Sequence, residues 1–170
     1  DAVPLLSGMA DALAHRGPDD SGIYTDRDIG LTHRRLSIVG LADGHQPMLD
    51  GSDNLVISYN GEIFNYRRLR DELLARGTVL DTESEVETLL HLYLRHGVEI
   101  FSLIEGQFAL AIWDGRSGEL LLGRDRVGIR PLYWTKDAAR IVFASEVKAL
   151  AQIPDVKLRL DPRSLIQTFR

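Results

Sequence analysis

Leu55-Val-Ile-Ser-Tyr-Asn-Gly-Glu-Ile-Phe-Asn-Tyr66 is the stretch on which the reading of the fold turns. Leu55–Tyr59 reads as an apolar strand that runs straight into Asn60-Gly61-Glu62, and a helix pattern starts near Asn65. A strand that stops at Asn-Gly and turns sharply leaves backbone N–H groups and an amide side chain at a sheet edge, where they can do chemistry. Two readings follow. Asn-Gly is the preferred pair for a two-residue type I′ hairpin turn. Alternatively, because a helix rather than a return strand comes next, Asn60 Nδ2 and the Gly61 N–H aim at one point. Two such donors make an oxyanion hole, worth about 3–4 kcal/mol per donor in acyl transfer. Gly61 is then required because a Cβ would block close backbone approach.

Upstream, Pro4–His15 carries Leu5, Met9, Ala12 and Leu13 at helical spacing, with Gly17 at the expected C′ stop. Ser21–Thr25 and Leu31–Val39 read as strands, followed by a loop over Gly40–Met48. Downstream, Asn65 is the expected N-cap of a helix through Ala75, with Leu69, Leu73 and Leu74 facing inward. Ser84-Glu85-Val86-Glu87 reads as a capping box opening a second helix that runs to about His96. Glu99–Ile104 is a short helix. The period then changes. Phe108–Trp113 and Glu119–Gly123 flank a Gly-containing turn, and Ile129–Trp134 and Ile141–Ala144 form a second hairpin-like pair. Ser145–Leu150 starts a last short helix. Strands joined by short turns, with helices inserted as a block, predict an α+β fold of antiparallel sheets. Both faces of Phe108-Ala-Leu-Ala-Ile-Trp113 are apolar, so each sheet is expected to be covered on both sides.

The chain has 170 residues, 44% hydrophobic and 26% charged, which fits one soluble domain. A net charge of −5 argues against nucleic acid as a partner, since phosphate binding needs a basic face. No apolar run approaches the ~18 residues of a membrane span. No signal peptide opens the chain, and a cytoplasmic location is expected. The sequence contains no cysteine, which excludes disulfides, thiolate metal sites and a cysteine nucleophile within these residues. The five histidines show no metal-ligand spacing, and no metal is expected.

Three further positions carry chemistry. Arg35, at the end of a strand, is either a surface charge or a bidentate clamp on a carboxylate. Glu85, in a first helical turn, either compensates the helix dipole or accepts an ammonium group. Arg124-Asp125-Arg126 reads as an ion-paired turn. An arginine for a carboxylate, an acid for an ammonium and an oxyanion hole describe a site for an α-amino acid whose side-chain carbonyl is attacked. A nucleophile is missing from that set: no serine has an evident base or elbow motif around it.

These residues also carry a resemblance. Arg16-Gly-Pro-Asp-Asp-Ser-Gly22, His33-Arg-Arg-Leu-Ser-Ile-Val39, His45-Gln-Pro-Met48, Asn60-Gly-Glu-Ile-Phe-Asn65, Leu90-His-Leu-Tyr93, Gly123-Arg-Asp-Arg-Val-Gly-Ile-Arg-Pro-Leu-Tyr133 and Ala144-Ser-Glu-Val-Lys-Ala-Leu150 occur in that order. Together they resemble the N-terminal glutaminase domain of glutamine-hydrolysing asparagine synthetases, a class II glutamine amidotransferase of the Ntn-hydrolase type. The resemblance covers about residues 8–150. It implies a four-layer αββα sandwich of two antiparallel sheets. Arg35 would bind the glutamine α-carboxylate, with the backbone of Leu36, Ile38 and Val39 lining the pocket. Asn60 and Gly61 would form the oxyanion hole, and Glu62 and Glu85 would hold the α-ammonium group.

Two departures stand out. The family has Ser-Asp-x-Glu where this chain has Ser84-Glu85-Val86-Glu87, so the acid at 85 is one methylene longer. The family's nucleophile is an N-terminal cysteine on a strand before the first helix, and this sequence starts at Asp1, just before that helix. The expectation is a glutaminase domain over residues 1–155 that lacks its nucleophile strand and is inactive as it stands. Residues 156–170 would begin the connection to a C-terminal synthetase domain. The resemblance implies glutamine as ligand, no cofactor in this domain, Mg-ATP in the synthetase domain and a homodimer. The competing reading is a non-catalytic scaffold domain of a related amide- or lactam-forming enzyme.

Overall fold

Helix α1 (Val3–Ala12) begins with Pro4 in its first turn, where the missing N–H has no intrahelical partner to lose. A computed structural model describes residues 2–36, 44–51, 54–159 and 161–163. After a short 3₁₀ turn at Ala14–Arg16 comes Gly17, whose φ of −149° is not left-handed. Glycine stands there for another reason: a Cβ would lie 2.4 Å from the Arg34 carbonyl carbon and the Arg35 nitrogen. Strands β1 (Asp20–Thr25) and β2 (Gly30–Arg35) form an antiparallel ladder with Asp20 opposite Arg35. The strand expected to reach Val39 ends at Arg35, Leu36 lying outside it, and residues 37–43 lie outside the described ones.

Strands β3 (Met48–Leu49), β4 (Leu55–Ile63), β5 (Gly106–Asp114) and β6 (Glu119–Arg124) make a four-stranded antiparallel sheet in that order. Between β4 and β5 lie helices α2 (Tyr66–Ala75), α3 (Glu85–His96) and α4 (Ile100–Leu103). Strands β7 (Tyr133–Lys136) and β8 (Ile141–Ala144) pair antiparallel, and helix α5 (Val147–Leu150) follows.

Side-chain alternation along β4 decides the layering. Leu55, Ile57, Tyr59 and Ile63 point to one face, where they pack with Leu110 and Ile112 of β5 against Leu69, Leu73, Leu89 and Ile100 of the helices. Val56 points to the other face and packs with Ala111 and Trp113 against Leu31 of β2, Tyr24 of β1 and Phe143 of β8. A third core joins Met9 of α1 to Ala144, Ala149, Leu150 and Ile153. Three cores separate four layers: α2–α4, the four-stranded sheet, the two ladders, and α1 with α5. This is the expected αββα sandwich. Its second β layer consists, among the described residues, of two two-stranded ladders.

Four local expectations are corrected. β4 does not stop at Tyr59. It continues to Ile63 in unbroken register, with Asn60 opposite Ala109 and Gly61 opposite Phe108, so Asn60-Gly61 is not a hairpin turn. Glycines let the two backbones approach closely there: a Cβ on Gly61 would sit 2.3 Å from the Gln107 carbonyl oxygen, and one on Gly106 would sit 2.2 Å from that of Glu62. Glu87 does not reach back to Ser84 as in a capping box. Ser84 Oγ accepts from the Val86 N–H, while the Glu87 carboxylate takes the N–H groups of Asp81 and Thr82 and the Thr82 hydroxyl. Asn65 precedes α2 as expected but does not cap it with its side chain, which bonds the Leu103 carbonyl and the Glu105 N–H instead. The strand expected at Ile129–Trp134 starts later, at Tyr133, because the preceding residues wrap around Asp125.

Candidate active site

Antiparallel pairing sends alternate N–H groups of a strand to opposite edges. Opposite Gly61, Phe108 turns its N–H toward Asp125 Oδ2 at 3.3 Å, so the Gly61–Phe108 pair is not bonded across β4 and β5. The Gly61 N–H therefore points to the β3 edge, with those of Tyr59 and Ile63. Tyr59 N–H donates to Gln46 Oε1 at 2.6 Å, and Ile63 N–H donates to Glu85 Oε2 at 3.4 Å. β3 pairs only with Val56 and Ile57 and does not reach Gly61. Among the described residues no hydrogen bond fills the Gly61 N–H on that edge, and none engages the Asn60 side chain. The Gly61 N–H is thus left open because the neighbouring strand is two residues long, not because β4 turns away.

Asn60 and Glu62 share the face of β4 that looks toward the β1–β2 ladder. The alignment of the layers is visible two steps back. Leu31 and Val56 share a core, and His33 Nδ1 lies 2.9 Å from Ser58 Oγ. Arg35 is two residues beyond His33, and Asn60 is two beyond Ser58, so the next step of the same run brings Arg35 toward Asn60. The Arg35 guanidinium occupies the space a side chain at Gly44 would need, with Nη2 2.3 Å from an ideal Cβ. Burial pushes the His33 imidazole down to about 4, and the Arg35 charge adds to the effect. His33 is therefore neutral at ordinary pH beside the cation. Leu36 is exposed, and Ile38 and Val39 lie outside the described residues.

On the opposite face Tyr59 OH donates to Glu85 Oε2 at 2.8 Å. Glu85 is the first residue of α3. Burial raises its carboxyl above the usual range, against the bonds from Tyr59 and Ile63 that favour the anion; Glu62 raises it further. The charge of Glu62 reaches Glu85 near the end of β4, and two carboxylates that repel each other favour a cation nearby.

Gln46 and Asp125 are supporting residues whose roles the sequence did not reveal. Gln46 caps the β4 edge just before Gly61. Asp125 is buried and accepts from the N–H groups of Phe108, Ile129 and Arg130, so it is a backbone anchor and not the ion-paired turn expected. Those amides, Arg130 first, hold its carboxyl at about 2 against the effect of burial. Their motifs were visible in sequence, but a side chain bonding a distant backbone has no periodic signature. Among the described residues no three histidine or carboxylate side chains gather as a metal site, and no helix is long and apolar enough to cross a membrane.

The architecture matches two solved enzymes. One described as the allosteric regulatory enzyme of purine biosynthesis has a TM-score of 0.74 at 24% identity, covering 88% of this chain and 40% of that one. Glutamine phosphoribosylpyrophosphate amidotransferase from Bacillus subtilis has a TM-score of 0.71 at 22% identity, covering 87% and 40%. At those identities the likeness shows the fold alone, an α+β sandwich of antiparallel sheets. The family model of the glutamine amidotransferase domain matches residues 1–170. The chain belongs to that family. It is 39% identical over 166 residues to asparagine synthetase [glutamine-hydrolyzing] 3 of Bacillus subtilis (strain 168), covering 96% of this chain and 27% of that protein. It is 41% identical to asparagine synthetase [glutamine-hydrolyzing] 2 of the same organism, covering 88% and 20%. A probable asparagine synthetase of Dictyostelium discoideum is 41% identical over 84% of this chain. The chain spans about a quarter of the length of these curated relatives.

Proposed function

We propose that the chain is the glutaminase unit of an enzyme of the asparagine synthetase type, releasing ammonia from glutamine for the ATP-dependent amidation of aspartate. The observation that carries the reading is the Gly61 N–H left open on the β4 edge beside the unengaged Asn60 amide. In this reading Arg35 clamps the substrate α-carboxylate, with Leu36, Ile38 and Val39 beside it, and Glu62 and Glu85 take the α-ammonium. The side-chain amide carbonyl then lies against Asn60 Nδ2 and the Gly61 N–H. A thiolate attacks that carbonyl, and the two donors stabilise the oxyanion. The intermediate collapses with loss of ammonia, the leaving nitrogen taking up the proton that the thiol gave up on forming the thiolate. Water hydrolyses the resulting thioester to glutamate. The 170 residues contain no cysteine, so the reading needs a thiolate from outside them. The domain itself takes no cofactor; Mg-ATP belongs to a synthetase domain C-terminal to residues 156–170, for which the relatives' extra length leaves room.

The competing reading is a scaffold domain that keeps the fold without the reaction, against which the retained Arg35, Asn60, Gly61 and Glu62 argue. Glutamine hydrolysis by the product of the complete gene separates the two. The proposal expects a Cys at the mature N-terminus, hydrolysis, and a loss of about 10²–10³ in kcat for Asn60→Ala. Another residue in place of that Cys rejects the enzyme reading, and an unchanged rate rejects the role of Asn60.

A further inference from the structure

By the resemblance, Glu85 is one of two departures from the family pattern, one methylene longer in a carboxylate that the proposed reading sets against an ammonium group. The structure holds that longer arm in a specific way. Both hydrogen bonds to Glu85 fall on one oxygen: Oε2 receives the Tyr59 hydroxyl at 2.8 Å and the Ile63 N–H at 3.4 Å. Tyr59 is nearly buried in the helix-side core, 6% exposed, and is fixed at its backbone by Gln46. It is thus a rigid post. Its hydroxyl is a strong donor to an anion in a partly desolvated place, where charge-assisted bonds are roughly twice as strong as neutral ones. Tying Oε2 back leaves Oε1 as the oxygen free of these bonds.

Building on the assignment of Glu85 as an ammonium acceptor, we infer that Tyr59 is a positioning residue for substrate binding. Its hydroxyl draws the extra methylene of Glu85 back against the end of β4, so that Oε1 stands where a shorter aspartate would present its oxygen. The hydroxyl also favours the ionised form of Glu85, which burial opposes. Tyr59 touches no substrate; it faces the helix layer, while Asn60 faces the ladders. A neutral phenylalanine side chain at this position would keep the packing and lose only the tie.

The test is calorimetric titration of the 170-residue chain with L-glutamine, and with the des-amino analogue 5-amino-5-oxopentanoate, which lacks the ammonium group. Tyr59→Phe is expected to weaken glutamine roughly tenfold, as loss of a bond to a charged group does, and to leave the analogue unchanged. The pH below which glutamine affinity falls should move upward, because the hydroxyl no longer helps Glu85 to ionise. Glu85→Asp should bind glutamine within about threefold of the parent chain, since the shorter arm needs no tie, and adding Tyr59→Phe to it should change nothing further. Equal weakening of both ligands by Tyr59→Phe, or the same weakening when Tyr59→Phe is combined with Glu85→Asp, overturns the inference. So does unchanged glutamine affinity in Tyr59→Phe. If Glu85→Ala itself leaves glutamine binding intact, the ammonium role of Glu85 fails first, and the failure belongs to that assignment. Circular dichroism of each variant shows whether a loss is simply unfolding; Glu85→Asp alone still tests the coupling if Tyr59→Phe does not fold.

Discussion

Replacing Gly61 by alanine adds one methyl group at the tightest point between β4 and β5. An ideal Cβ lies 2.3 Å from the Gln107 carbonyl oxygen, 2.8 Å from Phe108 Cα and 2.9 Å from Phe108 Cβ. Two of these atoms are backbone, so no rotamer change relieves the clash. Ordinary contact begins at 3.4 Å, and the strands must part by about 1 Å to reach it, an overpacking that costs roughly 1–3 kcal/mol. Stretching the flanking ladder bonds at Asn60 and Glu62 adds about 1 kcal/mol each. The lower unfolded-state entropy of alanine returns only about 0.4–1 kcal/mol. A net loss of roughly 2–4 kcal/mol lowers Tm by about 5–12 °C for a chain of this size. Thermal melts followed by circular dichroism measure it. Gly51→Ala is the control, because nothing lies within 4 Å of a Cβ there. A Gly61→Ala chain that melts with the control refutes the argument, which needs no ligand and is independent of any catalytic role.

Three other outcomes follow from the same geometry. His33 has a folded-state value of about 4 against 6.5 unfolded, so the folded state binds fewer protons and stability is lost as pH falls between those values. His33→Gln should flatten the decline between about pH 7 and pH 5 by roughly 1–2 kcal/mol in urea titrations; an unchanged slope shows that His33 is not held neutral. Glu87→Ala removes the acceptor of two backbone N–H groups and the Thr82 hydroxyl and should cost about 2–3 kcal/mol, read as a lower urea midpoint with glutamine affinity retained in the surviving fold. Glu85 titrates above its unfolded value near 4.5, so its favourable contribution is present below that pH and is lost as pH rises through the raised value. Glu85→Gln should therefore be at least as stable as the parent near neutral pH while losing glutamine; a lower Tm at neutral pH with equal Tm in mild acid contradicts the sign.

The α+β class, most element positions and the antiparallel pairing could be read from local pattern. Periodicity and turn residues report neighbours in sequence, and β5–β6 and β7–β8 are joined by short turns. What escaped depends on neighbours in space. Asn60-Gly61 carries a strong turn signal, but β5 supplies a partner strand for the whole of 60–63, and tertiary pairing overrides the dipeptide. Glu87 stood in the right place for a capping box, yet the loop at Asp81–Thr82 offered it two amides closer to hand. Asp125 looked like an ion pair between arginines, whereas the buried N–H groups around it compete better for its carboxylate. At the site, the residue types pointed to an amino acid ligand. The open edge could not be read, because it depends on how short β3 is.

The hydrogen bonds that leave β4 divide between its two faces, and they meet again only where Glu62 acts on Glu85. Tyr59 converses with Glu85 on the helix side, while Ser58 answers to His33 across the ladders. Substitutions at 59 and 85 should therefore appear together among homologous sequences, as should those at 33 and 58, with little correlation between the two sets. One strand then carries two lineages of change at alternate positions, and the length of the carboxylate at 85 can drift without disturbing the layer that holds Arg35.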